Sequence, residues 1–423
     1  MNQDIKTLCK MLEKSVSPFH AVEAAAEQLK KSGYEEIFLD KEWKLQNGKG
    51  YYLKAYGSTL IGFTIGEERR KGDMLRMEAA HTDWPCLKIK PLPEKPGSYA
   101  LLNVVVYGGP VLNTWLDRPL SVAGRVAVRS KKVFEPEVRL VDFKRPVCVI
   151  PNLAIHMNRK VNEGVELNRQ VDMLPLFGGK QDDNWFMKAL AKELSVKPED
   201  ILDYELNLYN TDKAEPAGLE EDMLCAPRID NITSVQACVT GLIDGKRKDG
   251  INLIALFDNE EVGSKTKQGG DSSLLTLVLE KLYLSLGESR EEYLNAVAGG
   301  MLLSVDVAHA IHPNHPEKCD ITNQIYLNEG VALKQSGTQR YATDCEAVAI
   351  VEQLCRKNKI SYKKFANRSD IPGGSTLGSL ASSHLPMKTV DMGVPILAMH
   401  SARETMGVKD QENLCRLMRA FFS

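Results

Sequence analysis

The chain has 423 residues, of which 43% are apolar and 26% are charged, the composition of an ordinary globular protein. This length exceeds a usual single hydrophobic core and favours two domains. The net charge of -2 excludes a basic field for nucleic acid, and no apolar run approaches the roughly 20 residues needed to span a bilayer.

The cysteines and the first residues predict a cytoplasmic protein. Nine cysteines are scattered without a C-x-x-C pair, which in a chain of this length is typical of reduced thiols. The chain opens on a polar amphipathic helix, so we expect no signal peptide. We therefore expect neither a nucleic-acid partner nor a membrane partner.

The N-terminal part predicts two helices and then strands. Helical spacing covers residues 4–14, and a serine N-cap followed by proline begins a second helix over residues 18–31. Strand patterns follow over residues 50–66 and 74–80.

The middle of the chain has a different residue pattern. Residues 98–170 alternate in β fashion, followed by a helix over 183–193 and a strand over 202–210. This stretch contains few side chains that could do chemistry. We therefore predict an inserted β-rich dimerisation domain over residues 87–224, whose edge strands could make subunit contacts.

The second half alternates helix and strand, which predicts a mostly parallel sheet with helices on both faces. Together with the N-terminal part it gives a discontinuous catalytic domain, residues 1–86 and 225–423, of the three-layer α/β/α class. Its predicted helices begin near 232, 272 and 343, and its predicted strands cover 251–257, 298–306, 388–391 and 394–399.

Residues 257–264, with the sequence F-D-N-E-E-V-G-S, form the centre of the predicted site. They follow an almost unbroken apolar run, which is typical of a strand buried on both faces. Adjacent Glu260 and Glu261 repel each other there, and a cation or a shifted proton usually offsets such a cost. We predict that one glutamate binds metal and the other handles protons. For an isolated acidic turn, a solvated loop would be the simpler interpretation.

The same pattern recurs, and this recurrence favours the metal. Apolar, strand-like runs also lead into His81, Asp306 and His400, while Asp230 stands just ahead of a predicted helix. Ligands of parallel sheets bind at the carboxyl ends of strands. Histidines with carboxylates suit zinc, with manganese or cobalt as possible substitutes. Asp83 lies two residues after His81, on the same side of an extended chain, and can orient its ring.

The residues resemble those of the aspartyl aminopeptidases, a family of dinuclear zinc metallopeptidases. The matching motifs run in the family's order along nearly the whole chain. They are S-P-F-H at 17–20, A-H-T-D at 80–83, Y-G-G at 107–109, W-L-D-R at 115–118, I-H at 155–156, A-P-R-I-D-N at 226–231, D-N-E-E-V-G-S at 258–264, D-V-A-H-A-I-H-P-N at 306–314 and M-H-S-A-R-E at 399–404.

The resemblance implies a role for each donor. Asp230 would bridge two zinc ions, one held also by His81 and Asp306, the other by Glu261 and His400. Glu260 would be the general base. The resemblance further implies a homo-oligomer, a tetrahedral dodecamer built from dimers.

The resemblance also implies substrate contacts. His156 would reach the active site of a neighbouring subunit, and Lys334 would face an acidic first side chain. His309 and Tyr341 would lie near the substrate. Trp84 departs from the family pattern, which has a small residue there, and could narrow the pocket.

We therefore predict an aminopeptidase that removes acidic N-terminal residues from peptides. One alternative is an enzyme of the same architecture with neutral or hydrophobic preference, or a deacylase. Another is a non-catalytic assembly or cargo protein of this fold that has lost its metals. A serine hydrolase is disfavoured, because the sequence has no G-x-S-x-G motif.

Overall fold

The computed structural model describes residues 2–371 and 373–423. They form two compact units. The first contains the described residues up to Asp83, then Ala214–Met399 and Glu404–Ser423, and the second contains Trp84–Lys213 and His400–Arg403.

The helices and strands are numbered here in chain order. The helices are α1 (Gln3–Lys14), α2 (Pro18–Lys31), α3 (Trp185–Leu194), α4 (Ile229–Asp244), α5 (Leu274–Ser285), α6 (Arg290–Ala298), α7 (Cys345–Asn358), α8 (Leu377–His384) and α9 (Val408–Phe421). The strands are β1 (Glu35–Glu36), β2 (Gly50–Ala55), β3 (Thr59–Ile65), β4 (Leu75–His81), β5 (Cys86–Lys95), β6 (Tyr99–Tyr107), β7 (Leu120–Val128), β8 (Glu137–Asp142), β9 (Leu176–Gly179), β10 (Ile201–Asn210), β11 (Glu215–Ala217), β12 (Met223–Ala226), β13 (Ile251–Phe257), β14 (Met301–Val305), β15 (Ala308–His309), β16 (Val331–Gln335), β17 (Tyr362–Ala366), β18 (Lys388–Gly393), β19 (Pro395–Leu397) and β20 (Glu404–Gly407).

The main sheet of the first unit has the order β1-β2-β3-β13-β4-β14-β18-β16-β17. Its central strands β13, β4, β14 and β18 are parallel to their neighbours within this group. Antiparallel pairings flank them, between β3 and β13 and between β18 and β16. The carboxyl ends of the central strands therefore share one edge, where a ligand site is expected.

Helices cover both faces of this sheet. On one face, alternate residues such as Met77 on β4 and Leu253 on β13 share a core with Leu279 of α5. On the other face, Gly62 of β3 lies so close to Leu29 of α2 that a larger residue would crowd it. The predicted α/β fold with three layers is confirmed.

A small sheet of the first unit, β11-β12-β20-β19-β15, was not predicted. It includes β19, which the sequence placed in the main sheet as a longer strand over 394–399. The apolar pattern there is the same for both locations, so periodicity could not separate them. Because β12 pairs with β20, residues 214–226 belong to the first unit.

The second unit contains an antiparallel sheet, β8-β7-β10-β5-β6-β9. Its long partners β7 and β10 pair from Ile201 opposite Val128 to Asn210 opposite Leu120. The unit is thus rich in β structure, as the alternating sequence predicted. Among the helices of the described residues, none combines the length and the apolar character needed to cross a membrane.

Candidate metal centre

The predicted ligands converge at the carboxyl edge of the main sheet. In the parallel pair β4 and β13, His81 lies opposite Phe257, whose chain continues directly into the acidic turn. Strand β14 is the other neighbour of β4, and it ends at Val305, just before Asp306. Parallel pairing therefore brings together side chains that are more than 200 positions apart in the sequence.

His81 is the most buried member of this cluster, with 1% of its surface exposed. Its Nε2 atom lies 3.4 Å from Asp230 Oδ1 and 3.4 Å from Asp306 Oδ1. Its Nδ1 atom lies 3.0 Å from the backbone oxygen of Asp83 and 3.4 Å from the carboxylate of the same residue. The ring is thus held from one side by Asp83 and presents its other nitrogen to two carboxylates, an arrangement that suits an oriented metal ligand.

The electrostatics of the cluster favour a cation. Burial by itself lowers the pKa of His81, but the carboxylates of Asp230, Asp306 and Asp83 outweigh it and raise the pKa well above its ordinary value. A buried group of carboxylates that stabilises one positive charge this strongly is suited to a metal ion.

Asp83 also fixes the acidic turn. Its Oδ1 accepts the backbone N–H of Glu260 and its Oδ2 that of Glu261, each at 3.2 Å. Asn259 precedes the pair with a left-handed φ of 63°, a conformation that asparagine tolerates well. These contacts set the direction of both glutamates, which form a short 3-10 turn ending at Val262.

The surroundings of Glu260 raise its affinity for a proton. Burial is the main cause that raises its pKa, the charge of His81 opposes this, and the carboxylates of Asp306 and Asp83 add to it. The result is a pKa of about 8. A general base works best with a pKa near the operating pH.

Asp230 lies at the irregular start of α4. Its backbone (φ -75°, ψ 108°) is not helical although the helix as a whole spans Ile229–Asp244. Its N–H donates to Glu404 Oε2 at 3.0 Å, and the side chain of the next residue, Asn231, donates to the backbone oxygen of Val305 at 2.9 Å. These buried contacts hold Asp230 against the edge of the sheet. Sequence reasoning missed the role of Glu404, whose only signal was its place in the last family motif.

The ligand atoms have a spacing that suits metal binding. Two ligand atoms that are each about 2.1 Å from a tetrahedral zinc ion lie about 3.4 Å apart. This is the separation of His81 Nε2 from the nearest oxygens of Asp230 and Asp306. A second group of ligand atoms, from His81, Glu260 and Glu261, lies within 4.8 Å of one another, and so do oxygens of Asp230 and Glu261. The residues therefore fit a metal centre, and the donor set is the nitrogen and oxygen set of zinc enzymes.

His400 lies in the segment His400–Arg403, which belongs to the second unit. Its Nδ1 atom is 3.1 Å from the backbone oxygen of Gly109 in the same unit. It does not follow a strand of the main sheet as predicted, since β19 (Pro395–Leu397) ends three residues earlier in the small sheet. Its role as a ligand stays a prediction.

Lys334 lies beside the cluster on β16 and is buried, with 2% of its surface exposed. Its Nζ atom is 3.8 Å from Asp306 Oδ2 and 5.2 Å from the centre of the Tyr341 ring. Burial lowers the pKa of this ammonium, but the charge of Asp306 and other nearby groups outweighs burial and raises the pKa. Tyr341 is held in turn by Asn367, whose side-chain amide donates to the phenol oxygen at 2.9 Å.

Asp391, on β18 opposite Lys334, is a buried residue that sequence reasoning missed. Its carboxylate accepts the N–H of Ala342 at 2.6 Å and the hydroxyl of Thr376 at 2.5 Å. It thereby connects the strand that carries it to the loop after Tyr341 and to the start of α8. No sequence motif marked it, because its partners meet only through strand pairing.

The other predicted substrate residues are spread over both units. His309 lies at the exposed end of β15 in the first unit. His156 lies in an exposed turn of the second unit, and Trp84, which begins that unit, is buried with 4% of its surface exposed. Their contacts with a substrate stay predictions.

Comparison with known sequences identifies the family of this chain. A family model described as aminopeptidase I zinc metalloprotease (M18) matches residues 11–422. The chain belongs to the M18 family of zinc aminopeptidases. This M18 chain is 42% identical to the probable M18 family aminopeptidase 2 of Clostridium novyi (strain NT), over 100% of both chains.

Solved structures of similar proteins have the same fold as this M18 aminopeptidase. A chain in the cryo-EM structure of the Ape4 and Nbr1 complex has a TM-score of 0.94 at 30% identity, covering 99% of this chain and 85% of that one. A chain of the S. cerevisiae mApe1 dodecamer has a TM-score of 0.86 at 26% identity, covering 99% of this chain and 95% of that one. The predicted family resemblance is confirmed, and the predicted aminopeptidase class with it.

Proposed function

We propose that this M18 enzyme is a dinuclear aminopeptidase that prefers peptides with an acidic N-terminal residue. The preference is supported by one observation above all, the buried ammonium of Lys334 beside Asp306. Within the described residues this ammonium makes no hydrogen bond of 3.5 Å or less. A desolvated cation of this kind can form charge-assisted hydrogen bonds with a substrate carboxylate.

The dinuclear centre would use two overlapping sets of ligands. His81 and Asp306 would hold one ion, Glu261 and His400 the other, and Asp230 both. The assignment of His400 is supported by its place in the chain. Residues 400–403 connect Met399 to Glu404, and Glu404 accepts the backbone N–H of Asp230.

Each residue of the centre would then have its own role in the reaction. Bound zinc polarises the scissile carbonyl and lowers the pKa of water, and manganese or cobalt could substitute for it. Glu260 Oε accepts a proton from the attacking water and passes it to the nitrogen of the departing peptide. Asp83 keeps Glu260 aimed by holding its backbone N–H. Lys334 orients the first side chain, with Tyr341 beside it.

The second unit would make the contacts between the subunits of the enzyme. We propose a homo-oligomer, a tetrahedral dodecamer built from dimers, in which His156 reaches a neighbouring active site and His309 contacts the substrate of its own chain. The dodecameric state of mApe1 supports this, as does the exposed apolar residue Met157, which follows His156 in the chain and is 74% exposed. We expect the assembly to work in the cytoplasm.

A substrate panel tests the proposal. Purified enzyme loaded with zinc, manganese or cobalt is assayed on chromogenic derivatives of Asp, Glu, Ala and Leu, and its bound metal is counted. We expect two metal ions per chain and a kcat/KM at least about 10-fold higher for Asp and Glu. Higher activity on Leu would favour the hydrophobic alternative, and a metal-free, inactive protein would favour the assembly alternative.

A further inference from the structure

A cavity of about 480 Å³ lies in the first unit, with His309 and Asn367 in its wall. This volume is within the range of ligand sites in proteins, which are mostly apolar with a few polar groups at the edge. Its walls include Phe365, Ile371, Ile396 and Leu397. The roles proposed above for the metal ligands, Lys334 and Tyr341 use none of these apolar side chains.

Two residues of its wall connect this cavity to the candidate centre. His309, in its wall, lies three residues after Asp306. Asn367, also in its wall, donates its side-chain hydrogen bond to Tyr341, which lies next to Lys334. Lys334 itself is buried and is not part of the wall. Lys334 is therefore enclosed, whereas wall residues of the cavity such as His312 and His315 are exposed to solvent.

The direction of a bound peptide determines which of its residues lies at Lys334 and which lies in the cavity. A substrate of an aminopeptidase begins at its free amine, so only one side chain precedes the scissile bond. If that side chain lies at Lys334, the rest of the bound peptide must extend from the reacting carbonyl into an open region. The apolar cavity is open to solvent and reaches the segment that follows Asp306, so it is the candidate for this region.

We propose that this cavity binds the second residue of the peptide and favours a large apolar side chain such as Leu or Phe. The inference rests on the proposed aminopeptidase function and adds a second specificity to it. Burial of apolar surface supplies the preference. In the polar part of the wall the two cations Lys318 and Arg368 outnumber the one carboxylate, Asp320, and this disfavours a positively charged second residue.

Dipeptide amides that differ only in the second residue test the proposal. The zinc-loaded enzyme is assayed on Asp-Gly, Asp-Leu, Asp-Phe and Asp-Lys amides, and on the same series beginning with Ala. We expect kcat/KM to be about 10- to 100-fold higher for Leu or Phe than for Gly in both series, with Lys lowest.

Two variants assign the preference to this cavity. Ala366→Phe adds a ring to its wall and should abolish the advantage of Leu and Phe while leaving Asp-Gly amide within about 2-fold. Ile371→Glu adds a negative charge at a residue that is 38% exposed, and should raise activity on Asp-Lys amide about 10-fold. Leu284→Glu, at a residue of α5 that is 51% exposed and outside the wall, is the matched control and should change neither ratio.

The outcomes separate this inference from the proposed function. Turnover of all second residues at equal rates, or a preference that both cavity variants retain, would overturn the inference while the aminopeptidase function stands. Turnover of none of the peptides would overturn the proposed function and the inference with it.

Discussion

The carboxylate of Asp83 accepts the backbone N–H of Glu260 at 3.2 Å, and its second oxygen does the same for Glu261. The sequence predicted Asp83 as the partner of His81 only. In the structure it connects the end of β4 to the turn after β13, so one carboxylate positions both the proposed metal ligand His81 and the proposed base.

The first prediction follows from this double contact. Asp83→Ala should lower kcat about 100-fold and weaken metal binding about 10- to 100-fold, because the turn loses both acceptors and His81 loses a partner. Asp83→Asn keeps one acceptor oxygen and should lose less of each. Metal titration alongside steady-state kinetics measures both effects. Equal metal affinity in all three proteins would contradict the role in the metal site.

The second prediction concerns Lys334. Lys334→Met keeps the length of the apolar stem and removes the charge, so activity on N-terminal Asp and Glu should fall about 10- to 100-fold while activity on Leu and Ala is spared. The ratio of kcat/KM values for Asp and Leu substrates is the measurement. If losses on the two classes are equal, Lys334 does not select the acidic side chain.

Asp391 gives a third prediction, for a residue that positions others. Asp391→Asn should raise KM for acidic substrates about 10-fold, because it weakens the bonds to Ala342 and Thr376 and removes a charge opposite Lys334. Thr376→Val is the matched control, since it removes only one of these bonds and should have a smaller effect. A purely structural role would lower thermal stability with KM unchanged, and this result would refute the positioning role.

The fourth prediction is the pH dependence of stability at Asp410. This residue of α9 accepts the backbone N–H groups of Asn328 at 2.7 Å and Gly330 at 2.8 Å. Burial nevertheless raises its pKa to about 7. The folded state then binds more protons than the unfolded state between about pH 4 and 7, so the contribution of Asp410 to stability is present at pH 4 and is lost as the pH rises towards 7.

Asp410→Asn removes this titration. The free energy of unfolding of the native protein minus that of the variant should therefore decrease between pH 5 and pH 8 in urea unfolding. Proton effects at the metal ligands are common to both proteins and cancel in this difference. A difference that grows with pH would show that the raised pKa is wrong.

The sequence predicts the inner part of the candidate site better than its surroundings. An apolar run that ends in a charged residue is visible without any partner, and this pattern located His81, Glu260 and Asp306. Glu404 and Asp391 have no such signal, because their importance depends on which strands pair. The register of β16 and β18, for example, places Asp391 opposite Lys334.

Lys334 shows a second limit of sequence reasoning. From the sequence around it, Lys334 would be interpreted as a solvated surface lysine. Only the family resemblance indicated that it contacts the substrate. Tertiary packing buries its strand β16 between β17 and β18, and this overrides the polar character of the side chain. The short strands β15 and β19 of the small sheet are similarly determined by partners distant in the sequence and not by their own periodicity.

The division of labour between Glu260 and Glu261 is the central claim, and one paired measurement tests it most directly. Metal content and turnover are determined for Glu260→Gln and Glu261→Gln beside the native enzyme. We predict that Glu260→Gln retains the native metal content and loses about 100- to 10,000-fold in kcat, whereas Glu261→Gln loses bound metal. A Glu260→Gln enzyme that turns over at the native rate would contradict the account.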